Sequence, residues 1–261
     1  MTTTKPPVSK HFSTSILLWM RQDTPRSAGM DRWRGPHSAI ISASPGLSEY
    51  RQIHLAEENP GRWPARDGVE TAIPADRRVD GVAEVTFENA LSPLAGRTQT
   101  ALAFEDEVNL FRRTLLYAGP PGTSRWYDVA PGERPGARLY LLLRRREGAV
   151  AFHRFVKKEL VPALVATGVL RELRTQVFLP WIEKTWDSPD VAHDNPADQH
   201  LHASLILGFA DESAREEFLT GAAARSLSDL LAPHVSAVHA YDVTAALTYV
   251  RDSTVLATVE E

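Results

Sequence analysis

The stretch Asp31–Leu55, "DRWRGPHSAIISASPGLSEYRQIHL", changes its hydrophobic period once, and that change sets the fold. Up to Ala43, Trp33, His37, Ile40 and Ile41 recur at helical spacing, which predicts a helix over 31–43 with one core-facing side. Pro45-Gly46 stops it. From Ser48 to Ala56 the period falls to two. Tyr50, Gln52 and His54 share one side, and Arg51, Ile53 and Leu55 the other, as on a strand with both faces used.

Outward from this unit the same elements follow. Before it, Ser13–Met20 (STSILLWM) is an apolar run of strand length. After it come a long polar loop to about Asp80 and a strand at Val82–Phe87. The spacing of Phe104, Val108, Phe111 and Leu115 predicts a second helix, ended by Gly119–Gly122 (GPPG), and Ser124–Val129 reads as a strand. Ala130–Gly136 (APGERPG) has linker composition. The order then recurs. Ala137–Leu143 is a strand, and Ala149–Gly168 a helix with Pro162 inside it and Gly168 as its cap. Val169–Leu179 is a strand, followed by a second polar loop at Pro180–Gln199 and a strand at Leu201–Phe209. Ser213–Glu216 has capping-box spacing and opens a helix. Val238–Val250 closes the pattern as one strand or two.

The expected fold class is therefore α+β. Two tandem ferredoxin-like β-α-β-β-α-β repeats, residues 11–130 and 137–252, follow a flexible N-terminus, residues 1–10. Each unit covers one sheet face with its helices. The other face also carries apolar residues, so the two sheets are expected to pack on each other as a barrel within one chain.

Composition narrows the function. Of 261 residues, 43% are hydrophobic, enough for a packed core. The net charge is −4 and no basic stripe stands out, against nucleic acid as a partner. There is no cysteine, which removes disulfides, thiolate metal sites and cysteine nucleophiles. No apolar run approaches the roughly 20 residues of a membrane span. The expectation is a cytoplasmic protein, monomer or homodimer, with a small-molecule ligand and neither nucleic acid nor membrane as partner.

The segments "RWRGPH" and "PGLSEYRQIHL" resemble the EthD-like branch of the dimeric α/β-barrel superfamily, where a helix with a Trp…His pattern precedes Pro-Gly-Leu and a strand carrying Tyr and His. The resemblance implies two ferredoxin-like halves forming one barrel. Members include polyketide cyclases, dehydratases, quinol-forming monooxygenases and haem-degrading enzymes, so the fold alone does not give the reaction. The second half departs from the pattern, with "FHRFVKKEL" and "ELRTQVFL" in the matching places. A pocket is better sought in the first half.

His54, His37 and Tyr50 are the candidate catalytic residues. Imidazole titrates near neutrality and a phenol donates to a carbonyl, which suits proton abstraction next to a carbonyl. Trp19, Trp33, Arg34, Gln52 and Trp63 are candidate substrate-binding residues, and Trp63, Trp181 and Trp186 are apolar anchors by which the long loops 57–80 and 180–199 serve as lids or subunit contacts, or by which each loop is pinned to the body. That both histidines are packing residues is the alternative. His193, His200 and His202 are possible ligands of a divalent metal, and His37, His54 or His153 possible axial ligands of haem, but no cofactor is favoured. Walker A, G-x-G-x-x-G, H-E-x-x-H and G-x-S-x-G sequences are absent. The reading is a cofactor-free cyclase, dehydratase or oxygenase of a hydrophobic, oxygenated small molecule. The alternative is a non-catalytic ligand-binding or stress-response protein.

Overall fold

The strand that begins at Leu47 pairs along its length with the strand that ends at Arg251, and this pairing closes the sheet. The computed structural model describes residues 6–146 and 148–261. In chain order the first half holds β1 (Val8–Met20), α1 (Arg26–Arg32), a π turn (Trp33–His37), α2 (Ser38–Ser42), β2 (Leu47–Leu55), β3 (Gly81–Phe87), α3 (Ser92–Ala95), α4 (Arg97–Glu107) and β4 (Phe111–Tyr127). The second half holds β5 (Ala137–Arg145), α5 (Ala149–Phe155), a π turn (Val156–Leu160), α6 (Val161–Ala166), β6 (Glu172–Val177), β7 (Ala203–Phe209), α7 (Glu212–Thr220), α8 (Ala222–Leu231), β8 (Val235–Arg251) and β9 (Thr254–Glu260). The strand order is β2-β3-β1-β4-β6-β7-β5-β8, with β8 returning to β2 and β9 added beside β8. Each half contributes its four strands in the same relative order, and every pairing is antiparallel. The result is a closed eight-stranded barrel with helices outside.

Several local expectations change. Residues 1–5 of the expected flexible arm lie outside the described residues, and β1 already starts at Val8. The second helix ends at Glu107. Phe111 and Leu115 belong to β4, where Phe111 packs on the helix side and Leu115 inside the barrel. Their three- to four-residue spacing mimicked a helix because it joins two elements. Gly119–Gly122 does not end that region either. β4 runs through it, with a break in the β1 register between His11 and Ser13 and Gly122 at φ +80, the usual way a strand absorbs prolines that cannot donate. The cap of α7 is Asp211, whose carboxylate accepts the Ala214 N–H at 2.8 Å, and Ser213 lies inside the helix. Both long helices widen into a π turn where a proline withholds its N–H: Pro36 within the first, Pro162 just beyond the second.

Three apolar clusters result. Leu17, Trp19, Ile53, Leu115, Tyr140, Ile206 and Tyr241 fill the barrel interior. Phe152, Phe155, Leu160, Leu205, Phe218 and Leu227 fill the layer between the second half's sheet and its helices. Trp33, Tyr50, Val85, Phe111 and Leu116 belong to the corresponding layer of the first half.

The barrel's other end is polar. Arg51 on β2 donates to Glu172 on β6 at 2.9 Å, Arg138 on β5 donates to it at 2.8 Å, and Arg174 lies 3.0 Å from it while also pairing with Glu49. This network ties strands of both halves together. Burial alone would raise the Glu172 carboxyl, but Arg51, Arg174 and Arg138 outweigh it and hold it well below the usual carboxylate range.

The long loops dock reciprocally. In the loop after β2, Trp63 packs against Phe218 in the second half's core, and Glu70 bridges to Ala237 of β8. In the loop after β6, Ala192 bridges to Arg113 of β4 and Trp186 packs edge-on against Phe104 of α4. Each half thus reaches across to the other.

Candidate functional site

The Tyr50, Gln52 and His54 side of β2 faces α1 and the π turn, as its alternation implied. Each is fully or almost fully buried. Gln52 organises them. Its amide nitrogen donates to the Trp33 carbonyl at 2.8 Å and to the Tyr50 hydroxyl at 2.8 Å. Its amide oxygen pairs with His54 Nε2 at 3.0 Å and accepts from the Tyr249 hydroxyl at 3.1 Å. Every hydrogen-bonding position of that amide is used, the arrangement that fixes a buried polar cluster. The Trp33 indole stacks on His54 at 4.5 Å between ring centroids. That approach needs Gly81 on β3, where a Cβ would meet the indole at 2.4 Å.

His54 is thus covered by Trp33 rather than by His37. Burial, with Arg34 and Arg26 adding to it, pushes its imidazole down to about 3. An imidazole that weak is a poor proton acceptor at neutral pH. His37, one turn beyond Trp33, points elsewhere. Its Nδ1 lies 3.0 Å from Asp106 Oδ2 at the end of α4, and Arg32 pairs with the other oxygen of that carboxylate. Burial lowers the His37 imidazole and Asp106 partly offsets this, so it is neutral near pH 7 and held in one orientation.

Beside Asp106 stands Glu107, which sequence reading missed. It is 2% exposed. Its carboxyl receives the Trp186 indole N–H at 3.1 and 3.2 Å and the Ser188 hydroxyl at 2.6 Å. Burial is the main cause that raises it, to about 7, and the hydrogen bonds from Ser188 and Trp186 only partly offset this. His37, Tyr50, Glu107, Trp33 and Trp186 border a void of about 10 Å³. The acidic run "EDE" (Glu105–Glu107) at the end of an otherwise weak helix is the one sequence signal that could have found it.

Glu107 also makes stability depend on pH. Its folded value lies above the ordinary carboxylate value, so its contribution is complete below about pH 4.5 and is lost as pH rises to about 7. Glu107→Gln is expected to remove this fall, on the order of 2–3 kcal/mol between those limits. Urea unfolding of both proteins at pH 4.5 and 8 checks it, and parallel profiles would refute the assignment.

On the far side of Ile16, Ile41, Val85 and Trp186 the layer opens into an apolar cavity of about 480 Å³. Its walls come from the outer sheet face (Phe12, Thr14, Leu116, Ala118), α2, α4 (Arg97, Thr100, Ala101, Phe104) and the second half's loop. Short side chains at Thr14, Thr100, Ala101 and Ala118 leave it empty, whereas Phe152, Phe155 and Phe218 are packed into the second half's layer. A larger cavity, about 560 Å³, opens at the polar end of the barrel, but Arg51, Arg138 and Arg174 in its wall are engaged by Glu172 and Glu49. The apolar one has the size and lining of a small-molecule site.

The other candidates lie apart from it. Trp19 is in the barrel interior, Trp63 in the second half's core, Gln52 in the saturated network, and Arg34 exposed. Trp33 borders only the small void. Trp181 packs beside His200 at 5.3 Å. His193 contacts the Thr114 and Ser188 carbonyls, His200 the Asn195 carbonyl, and His202 accepts the Arg145 N–H. Among the described residues no group of three or more His, Cys, Asp or Glu is placed to hold a metal ion. The 480 Å³ cavity has no His, Cys, Met or Tyr in its wall to serve as an axial ligand of haem, and the half-buried His153 is on α5, beside the filled layer.

No protein-family profile and no curated protein matches the chain. Solved structures do. An anthrone oxidase-like protein superposes with a TM-score of 0.58 at 10% identity, over 93% of this chain and 96% of that one. A candidate monooxygenase from Lactobacillus acidophilus NCFM gives 0.52 at 10% identity, over 97% and 100%. Another, from Fusobacterium nucleatum subsp. nucleatum ATCC 25586, gives 0.52 at 6% identity, over 95% and 100%. The fold is the dimeric α/β barrel. In this barrel both four-stranded sheets belong to one chain, and the hollow helix–sheet layer is in the first half. No helix among the described residues is long and apolar enough to cross a membrane.

Proposed function

We propose that the protein is an acid–base enzyme acting on a hydrophobic, oxygenated aromatic molecule held in the first half's 480 Å³ cavity. The observation that carries this reading is the contrast between the two helix–sheet layers, one packed with phenylalanines and the other hollow and backed by His37, Asp106 and Glu107. His37, neutral and oriented by Asp106, takes a proton from carbon next to a carbonyl. Glu107, poised near neutrality, supplies or receives the second proton. Tyr50, kept a neutral phenol by burial, supports the void's wall. The same first step serves cyclisation, dehydration and oxygenation. For an anthrone, the ring methylene loses its proton and the carbanion reduces O2. One oxygen atom becomes the new carbonyl and the other leaves as water, so anthrone plus O2 gives anthraquinone plus water.

The EthD-like relationship belongs to this reading, supported by Trp33…His37, Pro45-Gly46-Leu47 and Tyr50…His54. So does the view of residues 11–130 and 137–252 as tandem ferredoxin-like repeats, supported by their matching strand order. Ligand binding without turnover is the second reading, favoured by the saturated network around Gln52. Anthrone binding, followed by tryptophan fluorescence, is expected in the micromolar range or tighter and at least about tenfold weaker in Ala118→Phe, which fills the cavity. Equal affinity in both proteins would remove the cavity from consideration. Oxygen consumption with anthrone separates turnover from binding.

A further inference from the structure

The cavity and the void behind it are separate, and four residues form the wall between them: Ile16 of β1, Ile41 of α2, Val85 of β3 and Trp186. The first three are held by the sheet and the helix packed on it. Trp186 is carried by a different kind of segment. Residues 182–185 and 187 are exposed, between an anchor at Leu179, whose N–H donates to the Ala118 carbonyl at 2.8 Å, and buried Ser188. The indole is half-buried and is held by Glu107 through its N–H and by the edge-on contact with Phe104.

We infer that Trp186, supplied by the second half, is the partition that decides which ligands reach Glu107 and His37, and that it selects an apolar ligand carrying a phenol or enol hydroxyl. Swinging the indole out merges the two spaces. It also removes a donor from the buried Glu107 carboxyl, a loss that is costly unless replaced. A hydroxyl at the ligand's leading end restores that hydrogen bond, and a plain hydrocarbon of the same shape does not. Discrimination therefore arises when the polar end takes over the indole's place. The inference rests on the proposed use of the first half's cavity, and it adds the gate and the chemistry of the group that opens it.

The test uses the full chain. Diethylpyrocarbonate modification of His37, read by peptide mass spectrometry, is expected to be slow in the unsubstituted protein and about tenfold or more faster in Trp186→Ala, as for a site released from protection. His54 remains slow in both. Trp186→Phe, which keeps bulk but has no N–H, is expected to fall between them, and it carries the test if the alanine variant does not fold. 1-Naphthol is expected to protect His37 in the unsubstituted protein, and naphthalene at equal occupancy is not. Unchanged His37 labelling in a folded variant, equal acceleration at His54, or equal protection by the two probes overturns the inference. Competition of both probes with anthrone reports separately on the cavity. Competition without any difference at His37 defeats the gate alone, and no competition defeats the underlying reading.

Discussion

Glu172→Ala is expected to lower stability by about 3–5 kcal/mol, the cost of leaving buried charges without their partner. For a chain of this size that corresponds to roughly 10 °C in Tm. Three guanidinium groups, from Arg51, Arg138 and Arg174, converge on this one carboxylate, and Arg174 also pairs with Glu49. Arg51 is itself buried and its Nε has no hydrogen-bond partner among the described residues, so it cannot turn to water without breaking the β2 packing. Glu172→Gln retains the shape and one acceptor, and is expected to fall between the two proteins. The pH dependence has a definite sign. The folded carboxyl lies below its unfolded value, so its contribution is present above about pH 4.5 and is lost as pH falls through the carboxylate range. Thermal unfolding from pH 3 to 7 reads both effects. A Tm within about 2 °C of the unsubstituted protein would mean that the network contributes little net stability.

Glu107 acts in the opposite direction, since its carboxyl is raised. The two groups together bracket a stability maximum on the acid side of neutrality, with Glu172 setting the acid limb and Glu107 the fall towards pH 7. One acid sits among arginines and the other among an indole, a hydroxyl and apolar walls, and that difference alone reverses the sign.

The architecture was largely legible in the sequence because it depends on period. The break at Pro45-Gly46 between a helical run and an alternating one survives in the structure within a residue or two. Misplacements occurred where two elements abut without a breaker. Phe104 to Leu115 keeps helical spacing across the end of α4, and the glycines and prolines of Gly119–Gly122 lie inside a strand. The site was less legible. His54 shares a strand face with Tyr50 and Gln52 and carries a versatile imidazole, yet its environment, an indole on one side and a saturated amide beside it, is a tertiary property. Glu107 and Trp186 are 79 residues apart and meet only because the loop after β6 crosses to the first half. Nothing in either segment's period announces that crossing. His37 is visible from its place in the helical spacing, but no sequence pattern links it to its partner Asp106, 69 residues on.

That partner carries the second large expectation. With anthrone oxygenation as the proposed reaction, His37→Ala is expected to reduce its kcat by about 10²–10³-fold, the usual contribution of a positioned general base. His54→Ala is expected to leave kcat within a few-fold while lowering stability, since an imidazole pushed down to about 3 by burial is a poor proton acceptor at neutral pH. Asp106→Asn keeps the size of the side chain but removes the charge that orients Nδ1. It is expected to lower kcat by about tenfold or more with KM little changed, the signature of an effect on the reacting state rather than on binding. The pH profile discriminates further. His37 lies below its ordinary 6.5, so the acid limb of kcat/KM falls below pH 6.5, and Asp106→Asn moves it lower still because it removes the group that raises the imidazole. A merely structural Asp106 would leave the limb in place. Full activity in His37→Ala, with loss in His54→Ala, would move the chemistry to the far side of Trp33 and would require the stacked indole to open instead.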